Sequence, residues 1–168
     1  MTPFQTAVLA VLVTLAGVWD WKTRRIPNWL TVTGAVAGLA LNSPLSAAKG
    51  FGIALLVYLP LYLLRAVGGG DLKLMAAIGT ITGPDVWLVL FVLSSVLGGL
   101  VALALVIAKG RLRQTLSNIG HILRSAPRAE APHEQRPELD IAGEGAITLP
   151  RGTVIAVSTL FYLAVRAL

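Results

Sequence analysis

The chain of 168 residues has no cysteine, and its 14 lysines and arginines face only 8 aspartates and glutamates. Without cysteine there is no disulfide framework, no thiolate nucleophile and no cysteine-ligated zinc. Charge of either sign is scarce as well. Charged residues make up 13% of the chain, where a soluble domain carries about a quarter. Hydrophobic residues reach 55% and the mean hydropathy is +0.76. This excludes a globular enzyme built on one large core and predicts an all-α, polytopic integral membrane protein.

What is present is a series of apolar runs. Crossing a bilayer as a helix takes roughly 17–25 apolar residues. Runs at 2–19, 28–41, 47–67, 72–82, 86–108 and 151–165 predict about six transmembrane helices in a single membrane-embedded domain covering 1–168. The first run has no basic segment before it and is followed by Trp19, Asp20 and Trp21. That is wrong for a cleaved signal peptide, so a retained helix is expected. Asp20 to Arg25 read as a polar break, and Pro27 suits the first turn of the next helix. Gly68 to Gly70 are expected to break the third span, and "NSPLS" (Asn42 to Ser46) and "GPD" (Gly83 to Asp85) to turn the chain. The 72–82 run is too short to cross unaided, so a tilted or re-entrant segment is expected. Residues 109–149 are polar and rich in Pro, Ala, Glu and Arg, which predicts an extramembrane loop. The loop begins "RLRQTLSNIGHILRSA", with Leu112, Leu116, Ile119 and Leu123 at helical spacing, so it is expected to start as an amphipathic surface helix.

With six spans, all of the 14 basic residues except Lys49 and Arg166 fall on one side of the membrane. The positive-inside rule makes that side cytoplasmic. The 109–149 loop is then cytoplasmic and both termini are outside. The formal charge of +6 reflects this topology and attraction to anionic lipid rather than nucleic-acid binding. The basic segments lack interleaved aromatics except at Trp19 and Trp21, which read as interfacial anchors.

Only Asp20, Asp71 and Asp85 among the acids lie outside the 109–149 segment. The expected topology puts Asp85 in an external turn. It puts Asp20 at the cytoplasmic end of the first span and Asp71 at the cytoplasmic start of the fourth, so two carboxylates share one membrane depth. If they approach closely, both cannot ionise, and one serves as acid and the other as base. Structural roles compete with that chemistry: Asp20 paired with Arg24, and Asp71 capping the fourth helix. Ionisable groups at membrane depth are functional by default. On the residues alone, an aspartic hydrolase and a proton-coupled carrier fit about equally.

Three motifs separate those readings. "GGGDLKLMAAIG" resembles the GxGD motif of the prepilin peptidases, membrane aspartic proteases that trim type IV pilin precursors. "DWKTRRIPNWLT" resembles their second signature, an Asp ending the first span ahead of R-I-P-N. "LPRGTVIAVSTL" is similar to the start of their last helix, although Arg151 stands where the family more often has an aromatic. The resemblance spans nearly all of the apolar runs and omits 109–149. It implies that Asp20 and Asp71 are catalytic and that Gly68 and Gly70 are the motif glycines. It also matches Lys73, Arg25, Pro27 and Asn28 to positions that bind substrate or shape the site. Lys73 either contacts an acidic group of the substrate or lipid, or snorkels to the surface. Asn28 is a candidate partner for Asp20 or for a peptide backbone, and Arg25 for a lipid phosphate. Pro27 is most economically a helix starter.

The larger members of that family carry paired C-x-x-C motifs and methylate the new pilin N-terminus. This cysteine-free chain resembles the short form associated with Flp/Tad pili and is expected to lack that activity; archaeal preflagellin peptidases are similar in size. The resemblance implies a multi-pass enzyme of the cytoplasmic (inner) membrane whose active site is on the cytoplasmic side. Its partners would be a prepilin precursor and membrane lipid, with no nucleic acid, metal or organic cofactor. A proton-coupled transporter and a structural subunit of a pilus secretion system remain the alternatives. The cytoplasmic-edge position of both acids favours the protease over the transporter.

Overall fold

The computed structural model describes residues 1–110 and 150–168. The 109–149 loop from Arg111 onward, its expected amphipathic helix, His121 and His133 lie outside the described residues. The described residues are helical and form α1 (Pro3–Thr23), α2 (Asn28–Leu41), α3 (Pro44–Leu63), α4 (Gly69–Ala108) and α5 (Arg151–Ala167). By length and composition, α1, α3 and α4 are long and apolar enough to cross a membrane. The all-helical membrane architecture expected from composition is what the described residues adopt.

Local sequence explains the boundaries. Thr2 and Gln5 form a reciprocal capping box with Pro3 at the first helical position, so α1 starts there. α1 ends where Arg24 enters the left-handed region at φ 54°. The polar break is therefore shorter than expected, and Asp20 sits inside the last turn of α1 rather than after it. Ser43 caps α3 by accepting from the Ser46 amide, with Pro44 following it. Of the three glycines expected to break the chain, only Gly68 lies outside a helix. Gly69 and Gly70 open α4, which starts three residues before the expected run.

α4 is two legs joined at a sharp bend. Gly83 has φ 75° and ψ 177°, which a side chain would strain, and Pro84 follows. The Trp87 indole N–H donates to the Met75 carbonyl at 2.9 Å. In a straight helix these residues would lie roughly 18 Å apart along the axis, so the second leg folds back beside the first. The turn expected at "GPD" is this bend. Trp87 stacks on Phe91 with centroids 5.4 Å apart, and Tyr58 of α3 meets both rings edge-on.

The first leg of α4 is the centre of the molecule. From Leu74 to Ile81 every residue is buried. α2 and α3 pack against α4, and α5 packs against both α4 and α1. The 72–82 run, too short to cross unaided, is thus largely enclosed by protein. Close approach is set by small residues. A Cβ at Gly50 of α3 would overlap the Gly79 carbonyl oxygen, and one at Gly79 would overlap that of Gly50. Outward-facing apolar side chains such as Leu56, Leu63, Val92 and Leu100 give the bundle its lipid-compatible surface. At the α1–α2 corner Trp19, Trp21 and Trp29 are exposed, with Trp19 and Trp29 edge to face at 6.0 Å.

The bend leaves carbonyls at the end of the first leg without helical donors, and Pro84 has no N–H to offer Thr80. The Asn42 carboxamide supplies the donor, reaching Thr80 O at 3.2 Å and Ile81 O at 3.4 Å while its oxygen accepts from Ser43 N. Asn42→Ala is therefore expected to lower stability by about 1–2 kcal/mol. Asn42→Asp, which turns an acceptor toward those carbonyls, is expected to cost more, as read from thermal unfolding in detergent. Equal stability of Asn42→Asp and wild type would remove this role.

Candidate active site

Asp20 continues the inward stripe of α1. Gln5, Leu9, Leu12, Val13, Ala16, Gly17 and Asp20 are its buried residues, at helical spacing, so the last position of an otherwise mostly apolar face is a carboxylate. Asp20 is 7% exposed. Asp71 is the third residue of α4, after Gly68 as N-cap, and is 9% exposed. Its Oδ2 lies 3.5 Å from where a Cβ on Gly68 would stand.

The two acids face one cavity of about 1080 Å³. Arg25, Pro27, Asn28, Gly68 and Gly70 line it too. Lys73 is not among the lining residues; its Nζ donates to Asn28 Oδ1 at 2.9 Å, tying the first turn of α4 to the start of α2. The side-chain oxygen of Asn28 thus meets Lys73. Pro27 is the N-cap of α2, in extended conformation, rather than its first helical residue. Asp85 is exposed beyond the bend and is not part of the cavity wall. Tyr58, Leu61 and Phe91 make the apolar side of the cavity, and Ser94 and Gly98 of the second α4 leg continue it. Among the described residues no group of three or more His, Cys, Asp or Glu side chains could hold a metal ion.

The start of α5 completes the site, which the residue-by-residue reading did not foresee. The Thr153 amide donates to Asp20 Oδ2 at 3.2 Å, and its hydroxyl donates to Gly17 O at 2.9 Å. A carboxylate set against the first turn of a helix meets unpaired N–H groups and the positive end of the dipole. Gly152 makes this approach possible. A Cβ there would stand 3.1 Å from Cβ and Cγ of Asp20 and 2.9 Å from Ile26 Cδ1. The signal in sequence was a glycine in the first turn of an apolar helix, but its meaning depends on a neighbour more than a hundred positions away. Asp71 interacts electrostatically with Asp20 and with Arg151. Two carboxyl groups on one cavity, one met by the Thr153 amide and the other near the Arg151 guanidinium, can supply an acid and a base to a molecule between them.

Fold and site together define an all-helical membrane protein with two buried carboxyl groups facing one cavity. The chain matches the type IV leader peptidase family over residues 7–103, more than half its length, and belongs to that family. The matched stretch contains both aspartates and ends before α5. No curated protein and no solved structure matches the chain.

Gly152→Ala is expected to push α5 off Asp20 and to lower stability by about 1–3 kcal/mol, as overpacking does. Gly52→Ala, where an added methyl meets nothing within 4 Å, serves as the control. Equal melting temperatures for the two variants would show that α5 does not close on Asp20 as described.

Proposed function

We propose that the protein is an aspartic endopeptidase that cleaves the leader from a type IV, Flp-like prepilin precursor at the cytoplasmic membrane face. The observation that carries this reading is the convergence of Asp20 and Asp71 on one cavity in a chain of the leader peptidase family. Among the described residues the two legs of α4 make six helical segments, which supports the reading of six spans; the bias of Lys and Arg supports both termini outside and the 109–149 loop in the cytoplasm.

In the proposed reaction one aspartate is ionised and the other keeps its proton, because like charges on neighbouring carboxyls cannot both be sustained. The ionised carboxylate takes a proton from water as the water oxygen attacks the scissile carbonyl carbon. The protonated carboxyl donates to the carbonyl oxygen. As the tetrahedral intermediate collapses, the C–N bond breaks and a proton passes to the leaving nitrogen, so water is divided between the two products. Gly68 and Gly70 leave room for a substrate backbone beside Asp71. Arg25, Pro27 and Asn28 form the wall on the α2 side, with Lys73 holding Asn28. Arg25 and the aromatic corner face lipid headgroups. The chemistry calls for no metal or organic cofactor and includes no methyl transfer.

The test is conversion of a prepilin precursor at matched membrane expression. Asp20→Asn and Asp71→Asn should each reduce cleavage below detection, since each removes an acid–base partner at nearly constant shape. Asp85→Asn should cleave like wild type. Substantial cleavage by either of the first two would leave the carrier and scaffold readings in possession of these residues.

A further inference from the structure

Arg151 stands in the cavity wall without a part in the chemistry above. It is the first residue of α5 and is exposed, and its Nη1 donates to the carbonyl of Ala66 at 2.6 Å. Ala66 belongs to the connector 64–68 between α3 and α4, just ahead of Gly68 and Asp71. That connector is short and bent. Arg65 takes φ 56°, and Val67 turns inward to be buried.

The same turn of α5 holds the other aspartate. Thr153 donates to Asp20, and Gly152 packs on its side chain. Three consecutive residues therefore touch α1 at Asp20 and the backbone leading into Asp71. Further along α4, Lys73 is tied to Asn28, and from Leu74 onward the leg is locked in the core. The connector is held by less: Val67 joins the core, whereas Leu64, Arg65 and Ala66 are exposed. A guanidinium at the end of a long stem is suited to hold a carbonyl across such a gap, because its planar fork is pre-organised for hydrogen bonding.

We propose that Arg151 is a positioning residue for the peptidase reaction, fastening the Ala66 carbonyl to the start of α5 and so setting where Asp71 stands relative to Asp20. This rests on the reading of the two aspartates as the catalytic pair. It assigns the arginine that replaces an aromatic in "LPRG" a function of its own in this chain.

The experiment uses the full chain in lipid nanodiscs. The protein has no cysteine, and Lys22 and Leu64 are exposed near Asp20 and Ala66 respectively. Spin labels on a Lys22→Cys, Leu64→Cys background therefore report the connector against α1 while both aspartates remain. Arg151→Met should broaden the label–label distance distribution. It should also lower kcat on a prepilin precursor roughly 10–100-fold with KM within about two-fold, since misplacement by about an ångström is enough for such a loss. Arg151→Lys, which keeps a donor, should recover part of both. An unchanged distribution in Arg151→Met overturns the proposal, as does a broadened one with normal kcat, or a change in KM alone. Recovery of neither quantity by Arg151→Lys also counts against it. Failure of the underlying reading shows separately, as cleavage by Asp20→Asn or Asp71→Asn, whatever Arg151 does; the distance measurement needs no catalysis.

Discussion

A carboxylate placed among apolar helices is costly unless donors, partial charges or water meet it. The architecture of this protein follows from placing two of them, Asp20 and Asp71, on one cavity. The first is met by an amide at the start of α5, and the second opens α4 beside its own N-cap glycine. Helix starts concentrate unpaired N–H groups, so an apolar chain can stabilise an acid there with no buried cation. That requires the backbone of α5 to approach the Asp20 side chain closely, and Gly152 permits it.

The same economy sets the rest of the bundle. The first leg of α4 can be short because other helices cover it, and they can cover it because glycines at 50 and 79 let two backbones meet. The bend at Gly83 exposes carbonyl oxygens that Asn42 then satisfies, so the turn between α2 and α3 and the turn within α4 support one another. At the other end, Lys73 with Asn28 and Arg151 with Ala66 tie together the segments that carry the acids. Polar residues are few, and most of those inside the bundle hold a backbone group in place.

Much of this was legible in the sequence. Hydropathy placed the apolar runs in order, and α2 has the bounds its run suggested. Scarcity of acids singled out Asp20 and Asp71, and glycine followed by proline marked the bend. Boundaries near the site were less legible because local polarity and secondary structure part company there. Asp20, Trp21 and Lys22 look like a break yet stay helical, since side chains at a helix end can point to the cavity or the interface without disturbing the backbone. Gly69 and Gly70 look like breakers yet begin α4, in a first turn whose N–H groups need no intrahelical partner. Gly152, Thr153 and Arg151 could not be read at all as neighbours of Asp20 and Ala66, because their partners are distant in the chain and only packing brings them together.

The central claim is that the two aspartates act as one chemical unit. A double-mutant cycle on Asp20→Asn and Asp71→Asn, followed in an assay sensitive enough to quantify residual prepilin cleavage, tests it most directly. If the pair shares one reaction, either substitution removes the acid–base chemistry and the double variant is no slower than the worse single one. If the two losses multiply, the carboxyl groups work independently, and the account of a shared catalytic pair is wrong.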